Sequence, residues 1–234
     1  MSTFFPSEIP CGGCGQTNSF MVAHSINVPR RPEDRVALLD GTLQSFACDH
    51  CGALQRVAPE FVWFDPPRGE WILVRPNHTI TSWQGLEEIA HAVFDNTFGE
   101  GTSPQAQKMG ARLKKRAVFG WPALTEKVYA WSQGLDDLAL ELAKLAIIRA
   151  NPPETWSDDL ELRLTDVDAE LLTFVYVHGD TEEVEETLVL DRASYDGIAA
   201  QAGWEDLRAA LGAGPYVDLQ RLMTPGDAAS DGDE

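Results

Sequence analysis

The sequence predicts an α+β protein built from three consecutive parts. Three observations carry that prediction. All four cysteines fall in two look-alike pairs, "IPCGGCGQTNSF" and "FACDHCGALQRV", set among strand-like segments. The middle of the chain carries apolar residues at helical spacing. The last third returns to strand-like runs and holds nearly all of the net acidic charge. The parts span residues 1–78, 79–153 and 154–224, followed by a polar, acidic tail at 225–234 that reads as disordered.

The first part reads as β-rich. Strands are expected at 19–28 and 42–47, leading into the second cysteine pair, and at 53–58, leaving it. "EFVWF" and "EWILV" flank "DPPRG", a hairpin loop in which proline fixes φ and Gly69 permits positive φ. Trp63, Phe64 and Trp71 on this hairpin are expected to pack beneath the cysteine module, because a small module has few other apolar residues to bury.

The second part reads as helical. Ser82 is a candidate N-cap for a helix whose stripe is Leu86, Ile89, Ala90, Val93 and Phe94. Ser103-Pro104 starts a second helix with proline in its first turn. Its expected body, "QAQKMGARLKKRAV", carries the basic residues Lys108, Arg112, Lys114, Lys115 and Arg116, which are expected to pair with the acidic last third. A third helix follows Asp136 and Asp137, two acids suited to a helix N-terminus, and ends at Asn151-Pro152-Pro153.

In the third part, "LELRLT" (160–165), "ELLTFVYVH" (170–178) and "VEETLVLD" (184–191) read as strands. Residues 192–202 and 204–211 read as short helices, and "YVDLQRLM" (216–223) as a last strand.

The cysteines carry the chemistry. Each pair is Cys-x-x-Cys-Gly: Cys11 and Cys14, then Cys48 and Cys51. Two-residue spacing lets one tight turn aim both sulfurs at a single point, and Gly15 and Gly52 can take the left-handed conformation such a turn needs. Two such knuckles supply the four ligands of a closed, tetrahedral, zinc-ribbon-like structural Zn²⁺ site. Iron in a rubredoxin-like centre and a redox dithiol are the alternatives. A closed site offers folding energy rather than a reaction centre. His50, inside the second knuckle, is expected to point outward. His24, His78, His91 and His178 are scattered, and the acid pairs Asp136/Asp137 and Asp158/Asp159 read as caps and solvated surface.

Charge and composition narrow the function. The net charge of −19 divides into −2 over residues 1–78, 0 over 79–150 and −17 over 151–234. Such a surface repels phosphate backbones, which disfavours general nucleic-acid binding. There is no phosphate-binding loop, nucleophile elbow or His-Glu-x-x-His pattern. No apolar run approaches the roughly 20 residues that span a bilayer. The start lacks a signal-peptide pattern, and the expected setting is the cytoplasm, where thiols stay reduced.

Several stretches together resemble a family: "SINVPRRPEDRVALLDGTLQSFACDHCG", "FVWFDPPRGEWILVRP" and "RAVFGWPALTEKVYAWSQGLDDLALELAKLAI". With both knuckles, and with "EK…GLDD…K" in the last stretch, they are similar to the bacterial CpXC proteins, named for two Cys-Pro-x-Cys pairs. The resemblance covers residues 9–150 and implies Cys11, Cys14, Cys48 and Cys51 as metal ligands. In this chain the name-giving prolines are Gly12 and Asp49. The expectation is a non-enzymatic zinc protein working through protein–protein contact. An enzyme with its pocket between the parts, and a nucleic-acid-linked role by zinc-ribbon contact or acidic mimicry, are the alternatives.

Overall fold

The computed structural model describes residues 2–77, 82–153, 157 and 159–223. The acidic tail, His78 and Asp158 lie outside the described residues.

The N-terminal part and a segment of the middle build one mixed sheet. Its strands are β1 (Thr3–Pro10), β2 (Thr17–Asn27), β5 (Phe61–Asp65), β6 (Glu70–Arg75) and β7 (Lys114–Phe119), side by side in that order. β1/β2 and β5/β6 pair antiparallel, whereas β2/β5 and β6/β7 pair parallel. Side chains alternate across a strand, so β6 feeds two cores at once. Ile72 and Val74 join Ile26, Trp63 and Val118 on the face covered by α1 (Pro32–Leu39) and α4 (Gly120–Ser132). Trp71 and Leu73 join Ala117 and Phe119 on the face covered by α2 (Trp83–Phe98). α3 (Pro104–Gly110) follows α2.

A second sheet, ordered β10 (Val184–Asp191), β9 (Leu171–His178) and β8 (Leu160–Val167), is wholly antiparallel. Its inner face packs on α5 (Asp137–Ala150), Ala130 of α4 and Tyr195 of α6 (Arg192–Ala200). The hairpin of β3 (Ser45–Ala47) and β4 (Leu54–Arg56) forms a two-stranded sheet of its own. α7 (Glu205–Leu211) and α8 (Gln220–Met223) follow α6. The architecture is therefore α+β, with a sheet built mainly from the N-terminal part, helices α2–α5 in the middle, and a C-terminal sheet followed by short helices.

Four expectations are corrected. The second helix stops at Gly110, and most of its expected basic body becomes β7, because pairing with β6 outweighs the local helical preference of "ARLKKRAV". Within that cluster, Arg116 pairs with Asp137 and Lys115 with His91, both in the middle segment rather than the acidic last third. Trp63, Phe64 and Trp71 pack on the two faces of the main sheet, not beneath the cysteines.

Residues 216–219 form no strand. They are a buried strap leading into α8, and side chains satisfy much of the strap's backbone: Glu87 accepts from Tyr216 N, Lys127 donates to Val217 O, and Glu141 accepts from Leu219 N. Beyond these corrections, β1, α1 and α4 are elements the sequence reading does not single out.

Candidate metal centre

The first knuckle is the turn between β1 and β2, and the second is the turn between β3 and β4. Each repeats the same bonds. Gly15 N donates to Cys11 O and Gly52 N to Cys48 O, both at 2.8 Å. Cys11 N donates to Gln16 O and Cys48 N to Ala53 O, both at 2.9 Å. Gly15 and Gly52 take φ of 73° and 75°, the left-handed region in which a Cβ is costly. Stacked Phe20 and Phe46 rings, 4.5 Å apart, brace the two hairpins against each other.

The four sulfurs converge within 4.8 Å of one another. Cys11 and Cys51 lie 3.7 Å apart, as do Cys14 and Cys48. No disulfide joins them. A tetrahedron with metal–sulfur bonds of about 2.3 Å has edges of about 3.8 Å, so the cage has the size of a thiolate-bound metal. N–H donors address the sulfurs: Gly13 N on Cys11, and His50 N and the Asn18 amide on Cys48. His50 contributes its backbone while the residue itself stays exposed.

Electrostatics makes the four thiols unequal. Burial opposes a thiolate at Cys48, but N–H groups of His50 and Cys51 and the Asn18 amide outweigh it and lower its pKa to about 6. At Cys14 the Gln16 N–H favours the thiolate, yet burial and the other three cysteines push its pKa up to about 12. Four adjacent negative sulfurs need a cation at their centre, and the donor set fits one.

A second assembly is polar but buried. Glu126 and Lys127 of α4, Asp137, Glu141 and Lys144 of α5, Glu161 and Arg163 of β8, and Asp218 of the strap are all nearly inaccessible. Lys144 lies 2.9 Å from Glu126 and 2.8 Å from Glu141. Arg163 reaches Glu126, Glu161 and Asp218 at 3.1, 2.8 and 2.6 Å. Arg116 grips both oxygens of Asp137. With Arg116 counted, five carboxylates face four cations.

That imbalance explains the titration. Burial pushes the Glu141 carboxyl up to about 7 despite Lys144, with Asp218 adding to the rise. At Asp218, Arg163 and Lys144 overcome the cost of burial and hold the carboxyl down at about 2. A smaller buried set joins α1 to the β5–β6 hairpin: Arg35 binds Glu70 and Asp65, and Trp63 Nε1 donates to Glu70.

The structure brings all four sequence-predicted cysteines together. Asp136 caps α5 by accepting from Ala139 N, as its position suggests, whereas Asp137 turns inward to Arg116 and Lys127. His178 lies between Asp159 and Glu185, at 3.0 and 2.8 Å. The sequence reading missed the buried charges. Their signal was present in the charges at Glu141 and Lys144 inside an apolar helix, and in the alternation of "LELRL", where Glu161 and Arg163 share one face.

A family model described as CpXC protein matches residues 9–144. The chain belongs to the CpXC family. A search of curated proteins and of solved structures finds no match. The matched region ends at Lys144, so Glu161, Arg163 and Asp218, which join its buried charges through Arg163 and supply the extra carboxylate, lie beyond it. No helix among the described residues is long and apolar enough to cross a membrane.

Proposed function

We propose that the chain is a structural zinc protein that works as a scaffold for protein–protein contact. The observation that carries this reading is the closed cage of Cys11, Cys14, Cys48 and Cys51, with all four sulfurs within 4.8 Å of one another. All-sulfur, tetrahedral ligation suits Zn²⁺ and leaves no coordination position open for a substrate. Cys11, Cys14, Cys48 and Cys51 would hold the ion as thiolates, and the ion would tie the β1–β2 and β3–β4 turns together. Structural zinc in such settings is worth roughly 10–16 kcal/mol, comparable to the net stability of a domain.

The contact role rests on charge. Residues 151–234 carry −17, a net charge suited to a basic protein partner and opposed to a phosphate backbone. Native mass spectrometry of the purified protein should give one Zn²⁺ per chain. Stripping it should collapse near-ultraviolet dichroism and expose the first part to protease. Retained fold after complete metal removal would defeat the structural role. Crosslinking in the native host at ordinary salt should recover a stoichiometric protein partner, and recovery of none across growth conditions would defeat the scaffold role.

A further inference from the structure

The three parts of the chain meet around a groove of about 370 Å³. Its lining is mainly apolar, with Leu38 from α1, Leu164 from β8, and Val175 and Val177 from β9, and it also includes the buried, mutually paired Glu126 and Arg163. Arg56, from the metal-bearing hairpin, and Glu182, from the turn between β9 and β10, stand on its wall. The volume is at the small end of ligand pockets, which run from roughly 300 to 1,000 Å³.

Two features of that wall point to an occupant. Arg56 is held from several sides. Its Nε donates to Leu43 O at 3.1 Å, its guanidinium lies 4.0 Å over the Trp121 ring, and Nη1 donates to Glu182 at 2.6 Å. Its Nη2 is nonetheless buried without a hydrogen-bond partner. A guanidinium is built to bind both oxygens of one carboxylate, and here one N–H group is left over. The second feature is Glu182 itself. It keeps φ at 61°, in the left-handed region that non-glycine residues avoid, while its side chain pairs with Arg56. Burial, the largest influence on Arg56, lowers its pKa, as expected for a cation short of partners.

We infer that this groove binds a compact, mainly apolar monocarboxylate, with the apolar body on the Leu38–Leu164–Val175–Val177 floor and the carboxylate taken by Arg56. Glu182 is the internal stand-in for that carboxylate. It holds Arg56 through one nitrogen and yields when a ligand supplies two oxygens. The inference goes beyond the scaffold reading and does not depend on which metal the cysteines hold.

The test uses the full, metal-loaded chain and two matched probes, 1-naphthoate and its neutral analogue 1-naphthamide, followed by calorimetric titration. One naphthoate should bind per chain, saturably and more tightly than naphthamide. Arg56→Met should weaken naphthoate roughly tenfold, the effect of losing a hydrogen bond to a charged group, and leave naphthamide unchanged. Glu182→Gln should act in the opposite direction, tightening naphthoate alone. Thr125→Trp, which fills the groove from α4, should abolish both.

Thermal melts and metal content establish that each variant is folded. If Arg56→Met fails that check, Glu182→Gln decides the role of Arg56. Absence of saturable naphthoate binding overturns the inference. So does binding that survives Thr125→Trp, or a Glu182→Gln variant with unchanged naphthoate affinity. Metal content measured on the same samples keeps failure of the groove distinct from failure of the zinc reading.

Discussion

Asp49 stands where the family's second knuckle has proline, and its backbone N–H, which proline lacks, donates to Asn18 Oδ1 at 2.9 Å. The same Asn18 donates through Nδ2 to Cys48 Sγ at 3.5 Å. One buried amide thus braces the second knuckle at two points, so hydrogen bonding supplies what the proline ring would have supplied as stiffness. Asn18→Ala removes both bonds. Outer-shell changes of this kind cost roughly 10–100-fold in metal affinity, and competition with a graded chelator series should register a loss of that size. The buried cluster yields a second prediction. Glu141 has a folded-state pKa raised from 4.5 to about 7, so its contribution to stability is complete below 4.5 and is lost as pH rises through about 7. Asp218 behaves oppositely: lowered from 3.8 to about 2, it contributes above 3.8 and loses that contribution as pH falls toward 2. Glu141→Gln should therefore match wild type near pH 4.5 and lose less stability by pH 8. The difference should be on the order of 3 kcal/mol, from a shift of between two and three pKa units at about 1.36 kcal/mol each. Denaturant titrations across that pH range would show it. Parallel curves for the two proteins would rule out Glu141 as the titrating group.

At the scale of elements, α4 protects the free edge of the second sheet. Leu164 N of β8 donates to Glu126 Oε1 at 2.7 Å, and Val167 N donates to the Tyr129 hydroxyl at 3.1 Å. These side chains occupy positions a further strand would otherwise take. Tyr129→Phe removes one acceptor and should cost about 1 kcal/mol, with faster hydrogen exchange at the Val167 amide as its signature. The same pairing logic shows what was legible in the sequence. The knuckles were readable because ligand spacing and glycine position are local properties. β5, β6, β8, β9, β10 and α5 were readable because their periodicity, turns and caps are local too. β7 was not, since "KKRAVF" becomes a strand only beside β6. The strap at 216–219 shows strand-like composition, yet its partners are the side chains of Glu87, Lys127 and Glu141, at least 78 positions away. Of the buried charges, Glu126 and Lys127 were hidden for the same reason. Lys127 and Glu126 look like an ordinary solvated pair until α5, β8 and the strap close over them.

For the whole molecule, the charge cluster makes the family-matched region and the rest of the chain energetically interdependent. Glu126 and Lys144 sit inside residues 9–144, while Arg163 and Asp218 do not. Breaking a buried ion pair by removing one partner typically costs about 3–5 kcal/mol. A fragment ending at residue 150 would lose Glu161, Arg163 and Asp218 together and strip β8 from α4. Such a fragment, loaded with zinc, should show no cooperative thermal transition, whereas the full chain should melt in one. A cooperative melt of the fragment would mean that the cluster is dispensable to the matched region. Zinc affinity of the same fragment separates the two centres, because the cysteine cage lies entirely within it.

The strap also sets an order of events in the cell. A ribosome makes the chain from its N-terminus, so the cysteine turns emerge early and can capture their ion while synthesis continues. Lys144, Arg163 and their acidic neighbours emerge next, but Asp218 is translated after every group whose charge it helps to balance. The nascent protein thus has all four cysteines of the cage while its charged core is still open, and that core can close only when the strap arrives. A premature stop upstream of Tyr216 would release a chain with its cysteine cage complete and its interior still hydrated, a substrate for chaperones and proteases.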